Sequence, residues 1–339
     1  MSLSSGTSFI CPSSIIGTGS YTPSRVLTNA DLEKFVDTSD EWITSRTGIK
    51  ERRIASSDEA TSDLATAAAR NAIEQAGITA EELDLIIVAT VTPDMFFPST
   101  ACFVQAKLGA TKAVAFDINA ACSGFLYAMQ QARNYINAGS CRTALVIGAE
   151  KLSSLINWKD RNTCVLFGDG AGAVILRRVE DGGDHPGKTL STVIGSDGRL
   201  ANILRVPGGA SSNPVTHENI HDRSNTIFMD GKEVFKHAVN NMRGACEEAL
   251  QLANLTAGDV NLIISHQANL RIITAITDRL GIPKERAFVN IHRYGNTSAA
   301  SIPIALDEAN RTGVLKRGDN LLLVAFGAGL TWASTVLRW

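Results

Sequence analysis

Apolar and polar residues fall in blocks along this chain. Near-continuous runs of Leu, Ile and Val recur at 83–90, 113–118, 143–148, 260–265 and 321–326. Runs of that length without strict alternation predict strands covered on both faces. Between them lie stretches that predict helices over about 99–108, 122–138, 270–280 and 297–312. A shorter apolar stretch at 287–290 predicts one more strand. Strands alternating with helices predict an α/β fold built on a parallel or mixed sheet.

The order of these elements repeats. Strand, helix, strand, helix, strand occurs once over 83–148 and again over 260–326. Each unit ends alike: Gly168-Asp-Gly-Ala-Gly172 precedes an apolar run at 173–177, and Gly327-Ala-Gly329 precedes another at 331–338. Two duplicated α/β halves are therefore expected, one over residues 1–180 and one over 181–339. Between them, 181–188 reads as an exposed turn. The Gly-, Ser-, Asn- and Pro-rich stretch 207–225 reads equally as a flap or a plain insertion.

Composition narrows the function. The chain has 339 residues with 32 basic and 34 acidic side chains, a net charge of −2. That balance gives no ground for nucleic acid or an anionic membrane as partner. No apolar run approaches the roughly 20 residues needed to cross a bilayer. The polar start, 1–8, lacks the features of a secretory signal and reads as a short tail. Six cysteines, Cys11, Cys102, Cys122, Cys141, Cys164 and Cys246, show no CxxC spacing. They fit reduced thiols in a cytoplasmic protein without a metal site.

Sites in open α/β sheets gather at the carboxyl ends of strands. Cys122, in Asn119-Ala-Ala-Cys-Ser-Gly-Phe125, lies just past such a strand where a helix opens. The positive end of a helix dipole favours thiolate there. His266 ends a strand of the second half, and Asn296 falls at the counterpart of the Cys122 turn. Taken singly, each has an ordinary alternative: a buried structural cysteine, a satisfied histidine, a turn asparagine. Asp169 reads as a structural hydrogen-bond acceptor, and Gly168–Gly172 as a turn without the pattern of a phosphate loop. His185, His217 and His221 read as solvated, while His237 and His292 have no partner legible in the sequence.

The segments flanking these residues resemble β-ketoacyl-acyl-carrier-protein synthase III, a family of thiolase-fold condensing enzymes. The resemblance runs from about Ile15 to Trp339. It includes Asp37-Thr-Ser-Asp-Glu-Trp-Ile43, Arg46-Thr-Gly-Ile49, the Cys122 turn, Phe167-Gly-Asp-Gly-Ala-Gly172, His266-Gln-Ala-Asn-Leu-Arg271 and Gly295-Asn-Thr-Ser-Ala-Ala-Ser301. It implies a thiolase-like αβαβα arrangement of mixed sheets layered between helices. It also implies a ping-pong condensation of a short acyl-CoA, such as acetyl-CoA, with malonyl-acyl carrier protein, initiating fatty-acid synthesis.

By the same resemblance Cys122 is the acyl-accepting nucleophile and His266 and Asn296 are its partners. Trp42, Arg46 and Arg161 match contacts to coenzyme A. Gly231, Phe235, Ala268 and Asn269 match the pantetheine tunnel. Lys236 and Arg271 match a docking patch for acyl carrier protein, and Phe97 a residue reaching across a homodimer into the partner's acyl pocket. Backbone amides of Cys122 and Ala328 match the oxyanion hole. The family has a triple-glycine turn at the latter place, so the Ala328 Cβ is expected to add bulk or to restrict positive φ. No metal or redox cofactor is implied. A relative that primes a polyketide or signalling-quinolone route, or transfers acyl groups to other nucleophiles, would carry the same triad. A non-catalytic acyl-binding partner would not need it intact, and a thiolase would add a cysteine beyond Cys246.

Overall fold

The computed structural model of the chain describes residues 13–179 and 185–339. The expected boundary at 180/181, the tail at 1–8, Cys11 and the first half of the 181–188 turn lie outside the described residues. The first stretch holds β1 (Ser13–Tyr21), β2 (Arg25–Thr28), α1 (Asn29–Leu32), α2 (Asp40–Thr47) and β3 (Glu51–Ile54). It continues through α3 (Thr61–Ala76), β4 (Leu85–Ala89), α4 (Thr100–Leu108), β5 (Val114–Ile118), α5 (Gly124–Asn137), β6 (Thr143–Glu150) and β7 (Gly170–Arg178). The second holds β8 (Lys188–Ser196), β9 (Leu204–Arg205), β10 (Phe228–Met229), α6 (Gly231–Leu252), β11 (Leu262–Ser265) and α7 (Leu270–Leu280). It ends with α8 (Ile291–Tyr294), α9 (Ser301–Arg311), β12 (Asn320–Gly327) and β13 (Thr331–Arg338).

Nine strands form one mixed sheet in the order β11-β12-β13-β8-β1-β7-β6-β4-β5. The order repeats outward from the β1–β8 seam, where Ser14 pairs with Lys188 and the Ile15 N–H donates to Gly187 O at 3.1 Å. On one side β1, β7 and β6 are antiparallel neighbours and β4 joins β6 in parallel. On the other β8, β13 and β12 are antiparallel and β11 joins β12 in parallel. The repeat read from the apolar runs is thus a repeat of strand pairing.

Successive residues of the buried runs serve different layers. Ile87 and Ala89 of β4, Leu321, Leu323 and Ala325 of β12, and the apolar faces of α5 and α9 share one core. Ile86 and Val88 turn the other way onto α3 and α4. Leu322, Val324 and Phe326 turn onto α6 and α7. The layers therefore run helix, sheet, helix, sheet, helix, with α5 and α9 in the middle, and the strands β4, β6, β11 and β12 are buried on both faces.

One expected strand is a correction. The 287–290 segment forms only an isolated bridge between Ala287 and Ile263. Its backbone is claimed by a side chain: Gln267 Nε2 donates to Phe288 O, and Gln267 Oε1 accepts from the N–H groups of Asn290 and Ile291. A ladder would need those same groups. The expected helix at 297 also begins later, as a 3₁₀ turn at Ser298–Ala300 leading into α9. β6 runs two residues past its expected end at 148, to Glu150.

Candidate active site

The two helix-opening turns face each other at the centre of the molecule. After β5 a 3₁₀ turn, Ala121–Ser123, presents Cys122 before α5 begins. Ala121 takes φ 47°, which bends the chain sharply enough to aim Cys122 outward from the helix. The end of β12 lies so close that a Cβ on Gly327 would sit 2.6 Å from the Cys122 nitrogen, and only glycine fits. Positive φ in the Gly327–Gly329 turn falls on Gly329, at 136°, and not on Ala328. The expected conflict at Ala328 does not arise, because alanine occupies the one position there that needs neither missing Cβ nor positive φ.

His266 follows β11, held by its N–H to Val324 O at 2.7 Å. It is buried, and its Nδ1 lies 2.6 Å from Ser301 Oγ. Ser301 Oγ also accepts from the Gln267 N–H at 3.4 Å, leaving its proton for Nδ1. With the Ser301 proton turned to Nδ1, the imidazole proton lies on Nε2. Burial holds the imidazole down at about 4, so it is neutral near pH 7.

Asn296 is set by its backbone, which donates to Leu166 O at 2.8 Å and accepts from the Gly168 N–H at 3.0 Å. The side-chain Oδ1 accepts from the Ser298 N–H at 2.8 Å. The amide is thereby oriented with its Nδ2 donors left for the cavity.

Cys122, His266 and Asn296 all line one cavity of 1310 Å³. Burial pushes the Cys122 thiol up to about 12, and a hydrogen bond with Ser298 opposes that rise. Desolvation at the cavity floor thus works against the thiolate that the helix start favours.

Ala328, Trp42, Arg46, Gly231 and Phe235 line the same cavity. So do Ala268, Asn269 and Arg271. The Trp42 ring lies between two guanidinium groups, Arg46 at 4.7 Å and Arg161 at 5.1 Å from its centroid. Asn269 Nδ2 donates to Arg46 O at 3.1 Å, tying the start of α7 to α2. Arg271 lies 5.6 Å from the Phe235 centroid. Three expected site residues stand outside the cavity lining. Arg161 reaches it only through Trp42 and donates to Asp37 O at 2.9 Å. Lys236 pairs with Glu233 on the surface at 3.3 Å. Phe97 is 84% exposed.

Gly208, Gly209, Ala210 and Val215 also line the cavity, so part of the 207–225 stretch serves as wall. Asp169 accepts from the N–H groups of Ala55 and Ser153, the structural role expected of it. His237 has a partner, Glu233 at 3.5 Å, and His185 is half-buried where a solvated residue was expected. Residues that the sequence reading did not single out are Ser301, Ser298 and Glu150. The hydroxyls hid in a run of small residues that reads as turn. The available sign of Glu150 was a carboxylate closing a wholly buried strand.

Comparison with known proteins decides the family. The sequence model described as 3-oxoacyl-[acyl-carrier-protein (ACP)] synthase III matches residues 116–198, and that of its C-terminal part matches 250–339. The β-ketoacyl-[acyl-carrier-protein] synthase III of Caldanaerobacter subterraneus is 57% identical over 96% of this chain and 97% of that protein. The chain belongs to this family. It is a condensing acyltransferase of fatty-acid biosynthesis with the thiolase fold. The crystal structure of the Aquifex aeolicus synthase III is 53% identical with a TM-score of 0.89, covering 96% of this chain and 100% of that one. A priming β-ketosynthase of the R1128 polyketide pathway is 37% identical with a TM-score of 0.87, each chain covered to 96%. Among the described residues no helix is long and apolar enough to cross a membrane.

Proposed function

We propose that this synthase III loads a short acyl group from coenzyme A onto Cys122 and condenses it with malonyl-acyl carrier protein. The observation that carries this reading is the convergence of Cys122, His266 and Asn296 on one cavity that also holds Trp42 and Arg271. Cys122 attacks the acyl carbonyl as its thiolate, the carbon–sulfur bond to coenzyme A breaks, the departing coenzyme A thiolate takes up the proton that Cys122 gave up, and an acyl-Cys122 remains. Amides of Cys122 and Ala328 receive the transient oxyanion. Malonyl-carrier protein then enters by the same route. Its carboxylate leaves as CO₂ and the bonding pair becomes an enolate.

Enolate charge on the thioester oxygen needs donors that stay protonated. A neutral imidazole with its proton on Nε2 and the oriented Asn296 amide meet that need. The carbanion attacks the acyl carbon, and the acyl–sulfur bond to Cys122 breaks to release the 3-oxoacyl product. Arg161, Arg46 and Trp42 would hold the adenine end of coenzyme A. Gly231, Phe235, Ala268 and Asn269 would line the pantetheine arm. Arg271 and Lys236 would receive the acidic carrier protein. No metal or redox group is called for by these steps.

The two halves, the homodimer and the cytoplasmic location belong to the same proposal. β5 is a sheet edge with Val114 exposed, and Met95, Phe96 and Phe97 are exposed between β4 and α4, which suits a second copy of the chain. Incubation with labelled acetyl-CoA and peptide mass spectrometry tests the loading step, with the acetyl group expected on Cys122. Label on Cys102, Cys164 or no cysteine would refute it. The likeness to the R1128 priming enzyme supports a second reading, in which the product primes a polyketide route. A scan of acyl-CoA primers with purified enzyme separates the two, acetyl preference favouring the first and longer or branched primers the second.

A further inference from the structure

The cavity floor conceals a second polar group behind Cys122. Glu150, at the end of β6, is fully buried. Among the described residues no cation pairs with it; its partners are hydroxyls and an amide. Thr92 and Thr90 donate their hydroxyl protons to Oε2 at 2.8 and 3.2 Å. Thr92 Oγ1 in turn accepts from the Lys151 N–H and Thr90 Oγ1 from the Thr92 N–H, and the contact between the two hydroxyls, at 3.4 Å, is longer than either bond to Oε2. The Val91 N–H lies 3.1 Å from Oε2 and 3.3 Å from Oε1. Ser298 Oγ is 2.9 Å from Oε1. The same Ser298 shares the cavity wall with Cys122, where its hydroxyl favours the thiolate, and through its N–H it holds Asn296 Oδ1. It does so at φ 48°, a conformation costly for a residue with a Cβ.

Two donated hydroxyl protons make Oε2 the acceptor end of the group. When Glu150 is protonated, its proton therefore belongs on Oε1, facing Ser298. Ser298 Oγ then accepts from Glu150 and turns its own proton to the Cys122 sulfur. When Glu150 is ionised, Ser298 turns its proton to Oε1 and presents only lone pairs to the sulfur.

We propose that Glu150 is a positioning residue that sets the direction of the Ser298 hydroxyl, its neutral form supporting the Cys122 thiolate and its ionised form withdrawing that support. The inference rests on the reading of Cys122 as nucleophile. Burial raises Glu150 to about 7, within the range where an enzyme works. Charged groups on neighbouring elements are engaged elsewhere. Lys151 donates to the carbonyls of Ser56 and Glu59, and Asp169 accepts from Ala55 and Ser153. Asp63 pairs with Lys107. Asp307 binds Thr18, Ser20 and Arg311, and His266 binds Ser301. Cys122 is the titratable group whose charge Glu150 meets directly.

The test is the rate of Cys122 alkylation by iodoacetamide from about pH 5.5 to about pH 8.5 (roughly 1.5 units either side of neutrality), with the site confirmed by peptide mass spectrometry. Ser298→Ala removes the hydroxyl and keeps the Cβ and the N–H to Asn296. It should react about tenfold slower than wild type at the acid end, the size of a lost hydrogen bond to a charge, with the gap closing at the alkaline end. Glu150→Gln keeps Thr90 and Thr92 as donors to its carbonyl and donates an amide proton to Ser298, so it mimics the neutral form. It should match wild type at the acid end and lack the flattening that wild type shows above about pH 7. A Ser298→Ala deficit independent of pH, or a Glu150→Gln profile with the wild-type break, would overturn the proposal. If Glu150→Gln does not fold, the pH dependence of the Ser298→Ala deficit decides alone. Acetyl-CoA labelling of wild type, run beside it, reports separately on whether Cys122 is the nucleophile at all.

Discussion

The two turns that face each other across the cavity share a backbone and differ in what they offer. Ala121 and Ser298 take φ 47° and 48°, each opens a 3₁₀ turn, and each turn leads into a helix of the central layer. Each is preceded two residues earlier by an asparagine whose Oδ1 accepts from its N–H, Asn119 at 3.3 Å and Asn296 at 2.8 Å. The first turn then supplies a thiol at 122. The second supplies small residues there and spends its chemistry on the asparagine. Asn119 is exposed, whereas Asn296 is buried and bridged to Phe167. Duplication thus provides two equivalent strand ends, and burial of one asparagine against the opposite half turns a turn-former into an oriented donor.

Removing the thiol should break the comparison most completely. Cys122→Ala is expected to abolish acetyl transfer and leave no labelled peptide, while near-UV circular dichroism stays native. Asn296→Asp comes next. It removes a donor and places negative charge beside the enolate, and should cost about 10²-fold in condensation. Acetyl transfer should fall much less, measured by single-turnover assay. Asn119→Asp, at the equivalent place, should cost far less in both steps. Equal losses at 119 and 296 would mean that both asparagines merely shape their turns.

Smaller effects sharpen the picture. His266 is held near 4 in the fold against 6.5 unfolded, so the unfolded chain binds more protons between those values. Its contribution to stability is present above pH 6.5 and is lost as pH falls through about 4, some ~3 kcal/mol in all. Urea unfolding of His266→Gln should show a shallower loss over that window than wild type. Gly327→Ala would press a Cβ on the Cys122 nitrogen and should cost about 1–3 kcal/mol together with acyl transfer. Smallest is Arg271→Glu at the cavity rim. It should raise the KM for malonyl-carrier protein and leave acetyl transfer nearly intact, and the wild-type KM should rise with salt because exposed charges are screened beyond about 8 Å.

Much of the scaffold was legible because buried strands and turns leave marks along the chain. Runs such as 83–90 and 321–326 are apolar on both faces, and their alternation with helices is local information. The repeat followed from comparing those runs, which also placed Cys122, His266 and Asn296 at strand ends, though only the family resemblance joined them into one group. Segment 287–290 shows the limit. It has strand-like composition, yet Gln267 occupies its backbone from twenty residues away in sequence.

By itself the sequence determined roughly where strands end and which halves correspond, since these depend on residue type and near neighbours, while the grouping of Cys122, His266 and Asn296 came from the family resemblance. The tertiary structure decided the protonation and direction of those side chains. A thiol that a helix start would ionise is instead raised by desolvation between two halves. The His266 tautomer and the Asn296 orientation come from Ser301 and Ser298, serines within an unremarkable run of small residues. Glu150 reaches Ser298 only because β6 of one half ends against the Ser298 turn of the other. Such settings depend on distance and burial between segments far apart in the chain, where low local polarity magnifies each hydrogen bond and charge.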